Sequence, residues 1–172
     1  LPVPKITDEA SMATAAIHYP FDTKAELLDA FRDDLTERFE SELTFEPTDP
    51  RERLAAFLDR AFTPSNPDAD GFPVAMMELK AQAPFQELFR ERFRELDGVV
   101  REVVGEIVAD GIDEGHFAEA DPEEVARLVA TTINGAHARH VALGEPLDET
   151  RRVLENALER QLGWRPESEG AA

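Results

Sequence analysis

The sequence predicts an all-α chain, with a small helix-turn-helix head followed by a larger helical body. Three observations carry this. Apolar residues recur at helical spacing through most of the 172 residues, and no period-two alternation persists long enough to make a strand. Helix starts are marked by caps: Thr23 with Glu26, Asp49-Pro50, and Asp121-Pro122-Glu123-Glu124. Helix ends are marked by glycine, at Gly144 and Gly163.

The head comes first. Ile6 and Ala10 lie four apart, on one face of a short helix that Ser11 and Met12 break. Thr14 to Tyr19 form a second short helix with Ile17 inward, and Pro20 ends it. Phe21 then plugs a small core beside Ile6 and Ile17. Thr23 opens a long amphipathic connector reaching about Phe45, with Leu27, Leu28, Phe31 and Leu35 on one face. Lys24 sits in its first turn, where a cation opposes the helix dipole. A phosphate partner would account for it. Two short helices with the second one exposed are the arrangement that reads base edges in a DNA groove. The second helix offers Thr14, His18 and Tyr19 as polar readers. Ala15 and Ala16 offer methyl contacts suited to thymine.

The body follows as helices. Glu46-Pro47-Thr48-Asp49-Pro50 is a loop, and Arg51 to Phe62 carries Leu54, Phe57, Leu58 and Ala61 on one face. Thr63 to Gly71 is a second loop. Phe72 to Ala83 is a short, markedly apolar helix. Pro84 opens the longest helix, running to about Gly115, with Gly98, Gly105 and Gly111 allowing a bend or close packing. The Asp121 start leads to a helix ending near Leu143, and Asp148 to Leu162 is the last. These elements divide the chain into a head and connector (1–45), a helical body (46–166) and a disordered tail (167–172).

Acid dominates the composition. There are 37 Asp and Glu against 18 Lys and Arg, a net charge of −19, and only Lys5, Lys24 and Lys80 are lysines. An acidic excess ordinarily opposes nucleic-acid binding. Here the acid is spread over helix surfaces, and with scarce lysine it resembles the proteins of salt-accumulating microbes. Molar salt screens charge to within a few ångström and removes most of the counterion-release contribution to DNA affinity. Such a reader must rely on base contacts, shape and dimer symmetry. The apolar content of 42% suffices for a proper core. No apolar run is long enough to span a bilayer. There are no cysteines, which excludes disulfides and thiol catalysis.

The stretch Ala10, Ser11, Met12, Ala13, then Ile17, His18, Phe21, Thr23, Lys24 and Leu27 resembles the DNA-binding domain of the tetracycline-repressor (TetR) family. Phe21 to Leu28 is its most specific part. The family pattern has glycine where Ser11 stands, a capping serine where Ala13 stands and tyrosine where His18 stands. The resemblance implies another helix before Ile6, so we expect the head as written to lack its first helix. It also implies a dimeric transcription regulator, working in the cytoplasm on an operator in double-stranded DNA, with no membrane partner. Thr14, Ala15, Ala16, His18, Tyr19 and Lys24 would meet that DNA.

By the same resemblance, the last two helices pair across a homodimer as a four-helix bundle. Here that implies Val125, Leu128, Val129, Thr132, Ile133 and Ala136 with Leu154, Leu158 and Leu162. Ala130, Thr131, Gly135 and Ala138 would permit close approach. The helices between enclose a cavity for a small, largely apolar effector. Phe57, Phe62, Phe72, Met76, Met77, Phe85, Phe89 and Phe93 concentrate aromatics and methionines there. Asn134 and His137 are polar positions on an apolar helix, and Lys80 is the body's only lysine, suited to an anionic group.

No nucleophile motif or glycine-rich phosphate loop is present, so no enzyme and no cofactor are expected. His137 and His140 lie three apart on one helix, but no further ligand motif completes a metal site. The competing reading is a helical ligand-binding or protein-interaction module without DNA binding.

Overall fold

The computed structural model describes residues 49–63 and 72–165. Among them are five α-helices and no strand: α1 (Pro50–Phe62), α2 (Phe72–Gln82), α3 (Glu87–Asp113), α4 (Pro122–Leu143) and α5 (Leu147–Leu162). The expected head, connector, second loop from 64 onward and tail lie outside the described residues. No described helix is long and apolar enough to cross a membrane.

Local sequence accounts for each boundary. Asp49 caps α1, its carboxylate accepting from the Arg51 N–H at 2.9 Å, and Pro50 holds the first helical position. The Arg51 guanidinium closes on the same carboxylate and holds Asp49 well below the usual carboxylate range. Asp121 repeats the device for α4, accepting from the N–H groups of Glu123 and Glu124. Gly144 and Gly163 end α4 and α5 in left-handed geometry, with φ of 67° and 68°.

Most boundaries fall within a residue or two of the sequence expectation, and one differs by more. Pro84 does not open the long helix, which begins at Glu87. Pro84 lies in the turn that closes α2, where the N–H groups of Ala83, Phe85 and Gln86 bond back to carbonyls of Leu79, Lys80 and Gln82. Those bonds hold the chain until Gln86, which is extended. The last helix begins at Leu147, one residue early, with Pro146 at its N-cap.

The main core joins four helices. Leu54, Phe57, Leu58 and Phe62 of α1 meet Val104, Ile107 and Val108 of α3, Val125, Ala126, Val129 and Ala136 of α4, and Leu147, Leu154, Leu158 and Leu162 of α5. Each fully buried leucine or valine contributes about 1.5–3 kcal/mol relative to exposure. Trp164 closes the end, almost wholly buried, with its indole N–H donating to the Arg51 carbonyl at 3.1 Å. The Ala118 N–H donates to the Leu162 carbonyl at 2.8 Å and ties the α3–α4 connection to the same end. A second, smaller cluster of Leu79, Phe89 and Leu96, with Ala75, Met76, Ala83 and Phe93, packs α2 onto the first half of α3.

This packing corrects the expected dimer surface. Val125, Val129, Ala136, Leu154, Leu158 and Leu162 are buried inside one chain and are core. The leucine stripe of α5 packs with α1 and α4 in the main core. Ile133 is half-buried against the main core, and the half-buried Thr132 hydroxyl donates to the Leu128 carbonyl of its own helix. Of the nine, Leu128 alone is exposed.

Candidate functional site

Where α2 meets α4, a lysine, an asparagine and a histidine sit near one another, Lys80 and His137 half-buried and Asn134 exposed. Lys80 lies near the end of α2, and its ammonium donates to the Asn134 Oδ1 of α4 at 2.7 Å. The Asn134 amide in turn donates from Nδ2 to the Ala130 carbonyl one turn back, at 3.1 Å, which fixes the direction of its oxygen. The Lys80 ammonium also stands over the ring of Phe93, 5.8 Å from its centroid. His137 follows one turn after Asn134. Its Nε2 lies 2.9 Å from the Ala61 carbonyl at the end of α1, and since a carbonyl only accepts, Nε2 carries the proton. The site therefore draws on the ends of α1 and α2, the first part of α3 and the second half of α4.

Its electrostatics are unusual for so acidic a chain. No carboxylate of the described residues lies within ion-pair distance of Lys80. Burial pushes its ammonium below the usual lysine range, and the charge of Asp97 offsets this only in part. Burial likewise lowers His137; the Ala61 bond works the other way, and the charges of Lys80 and His140 add to the lowering. The site thus holds a desolvated cation beside a histidine biased toward its neutral form.

An open groove of about 390 Å³ runs along α3 and shares Phe93 with this site. Phe93 and Asp97 line it with Ala83, Gly98, Arg90, Arg94 and Arg101. A second groove of about 450 Å³ shares Gly98 and Arg101 and continues past Gly105 to Pro122 and Glu123. The arginines are held by acids: Arg90 and Arg94 by Glu87, Arg101 by Glu123 at 2.5 Å.

The structure brings together some of the expected ligand residues and separates others. Lys80, Asn134, His137 and Phe93 converge, and Met76 packs in the same small cluster. Met77 is half-buried on α2 and Phe89 is buried in that cluster. Phe57 and Phe62 are buried in the main core, covered by the chain's own helices, and line neither of these grooves. Phe85 is 88% exposed, because it sits in the turn after α2 rather than on a helix. The side chain of Phe72 lies outside the described residues. So do Thr14, Ala15, Ala16, His18, Tyr19 and Lys24. The two histidines at helical spacing do not converge on one point: His140 Nδ1 bonds the Glu145 carbonyl at 2.8 Å, away from the Ala61 carbonyl that holds His137. Sequence reasoning missed Asp97 and the groove arginines, which read as ordinary charges on a solvated helix face.

A family model described as BetI-type transcriptional repressor, C-terminal, matches residues 50–163. The chain is also similar to a solved structure of a TetR transcription regulator from Haloarcula marismortui. The two are 40% identical in sequence, with a TM-score of 0.69 over 94% of this chain and 87% of that one. No curated protein matches it significantly.

Proposed function

The chain belongs to the TetR family of transcriptional regulators, and from that premise we propose a homodimeric, sequence-specific DNA-binding repressor that a small, largely apolar effector releases from its operator. The observation that carries the effector half is the Lys80–Asn134–His137 group, a set of oriented polar atoms beside Phe93, which also lines an open groove. The DNA half rests on family membership and on Thr14–Lys24, the residues that match the family's reader.

The dimer surface is assigned to the outward faces of α4 and α5. On α4 the positions opposite the core are Leu128, Thr131, Gly135, Ala138 and Ala142, nearly all small. On α5 Val153 is 63% exposed, with the half-buried Ala157 and Gln161 following it at one-turn intervals. Small side chains let two helix backbones approach closely, and two such helices per chain make a four-helix bundle about a two-fold axis. An effector then acts by preferring the body shape that holds the two reading helices at the wrong separation for successive major grooves. The acidic surface fits a cytoplasm rich in salt.

Gel-shift and footprinting at molar KCl, on the DNA flanking the protein's own gene, test the reading. A discrete footprint with two half-sites one helical turn apart is expected, weakened by Lys24→Ala at matched salt. No protection at any salt would leave the body as a ligand-binding module without DNA recognition.

A further inference from the structure

We propose that the effector is a monoanion, a carboxylate joined to an apolar chain or ring, with its head group on the Lys80 ammonium and the Asn134 amide and its apolar part along Phe93 and Met76. This inference rests on the reading of the body as an effector receptor and adds the charge of what it receives.

Among the described residues the inter-helix cations have acids to hand: Arg53 has Asp110 at 2.6 Å, Arg101 has Glu123 at 2.5 Å, and Arg151 has Asp59 at 2.5 Å. Lys80 is the exception. It is half-buried, its hydrogen-bond acceptor is a neutral amide, and its other contact is an aromatic face. In a chain with 37 acids, no described carboxylate pairs with the one lysine of the body. An ammonium has three donors, and Asn134 occupies one, so two remain for an incoming acceptor. A desolvated cation whose burial the Asp97 charge offsets only in part is a cost to the fold that an anionic ligand offsets on binding. Burial that lowers the Lys80 pKa is the same cost seen from the proton's side.

The surroundings select among ligands. A quaternary ammonium ligand would meet the Lys80 charge at the same ring face it needs for itself. A neutral alcohol gains one hydrogen bond and leaves the ammonium unneutralised. A dianion brings more charge than one lysine offsets, with Asp97 nearby. A single carboxylate matches in charge, with one oxygen accepting from a free Lys80 Nζ–H and the other from the second Asn134 Nδ2–H, the first being held by Ala130. The groove of about 390 Å³ accommodates a small ligand, and Phe93 and Ala83, which line it among charged side chains, offer a hydrocarbon tail its apolar contact.

The experiment compares three probes of one chain length, octanoate, 1-octanol and octyltrimethylammonium, by calorimetric titration of the full-length protein at molar KCl. The expected order for the wild type is octanoate at least about tenfold tighter than octanol, with octyltrimethylammonium weakest. Lys80→Met should erase the advantage of octanoate while leaving octanol within about threefold, and Lys80→Arg should keep it. Lys80→Met removes a desolvated charge beside Met76 and Phe93, so it should melt no lower than the wild type, which checks folding in the same samples. If octanol or octyltrimethylammonium binds as tightly as octanoate, or if the octanoate advantage survives in Lys80→Met, the charge assignment falls and the effector reading stands. If none of the three binds the wild type, both fall.

Discussion

The ring of Phe117 lies directly against the backbone of Gly111: a Cβ placed on that glycine would meet the ring's Cδ2 at 2.1 Å and its Cε2 at 2.4 Å. The N–H groups of His116 and Phe117 both bond the Gly111 carbonyl at 2.8 Å, so the chain folds back over the end of α3 and cannot slide away. Phe117 is part of the main core. The absence of one side chain thus lets the α3–α4 connection close.

Gly111→Ala is therefore expected to lower stability by about 1–3 kcal/mol, the cost of overpacking a site whose neighbour is pinned. Gly98→Ala and Gly105→Ala lie in the same helix with nothing within 4 Å of the new methyl. They should raise stability by about 0.5–1 kcal/mol each, the helix-propensity gain. Urea unfolding at molar KCl reads all three. Equal losses would show that Phe117 does not define the site.

The dimer assignment makes a prediction that separates surface from core. Gly135→Arg puts a long side chain on the outward face of α4, where a Cβ meets nothing within 4 Å in the single chain. It should halve the mass seen by light scattering while the helical circular dichroism is retained. Leu158→Ala removes a core leucine with no exposed surface and should instead cost about 2–5 kcal/mol. A Gly135→Arg protein that stays dimeric would move the interface elsewhere.

The same contrast shows what the sequence could and could not disclose. Caps and glycine stops are local chemistry, so Asp49, Asp121, Gly144 and Gly163 marked helix ends to within a residue. The stripe Leu154, Leu158, Leu162 was equally visible, but periodicity says only that a face is buried, not against which chain. A helix has one apolar face, and here the monomer core took it. Pro84 suggests a helix start that would place Phe85 with the aromatic cluster, and the turn bonds to Leu79 and Gln82 displace that start by three residues. Lys80, Asn134 and His137 were legible as polar residues on apolar helices. That they meet, and that no described acid joins them, depends on how α2 crosses α4, which no local spacing encodes.

Stability should depend on pH through His137 and Lys80. Burial lowers both pKa values in the folded chain. The unfolded chain then holds more protons between the lowered and the ordinary value, so stability rises with pH across each window. For His137 the window lies below about 6.5, and stability falls as pH drops through it. For Lys80 it lies below about 10.4, and the penalty of the charged form is relieved as pH climbs toward that value. Thermal melts at molar KCl should show His137→Gln flattening the acid limb and Lys80→Met the alkaline limb, relative to wild type at each pH. Parallel curves would mean that neither side chain is desolvated as placed.

Salt decides between two opposed electrostatic effects. The inter-helix pairs Arg53–Asp110, Arg101–Glu123 and Arg151–Asp59 hold exposed or half-exposed groups and are worth about 0–1 kcal/mol each. Salt weakens them. Against them stands the self-repulsion of a net charge of −19 on one small chain, which salt relieves. The screening length falls from about 10 Å at 0.1 M to about 3 Å at 1 M, so repulsion between neighbouring surface acids is lost while contact pairs keep part of their attraction. The melting temperature should therefore rise with KCl, on the order of 10 °C between these concentrations, as a few kcal/mol of relieved repulsion requires. Replacing the exposed Glu91, Glu106 and Glu119 with lysine should flatten the dependence and raise stability most in dilute buffer. Sucrose at matched osmolarity separates screening from solvent exclusion, since it strengthens burial without screening charge. A melting temperature that falls with KCl would make the ion pairs, not the acid excess, the dominant effect.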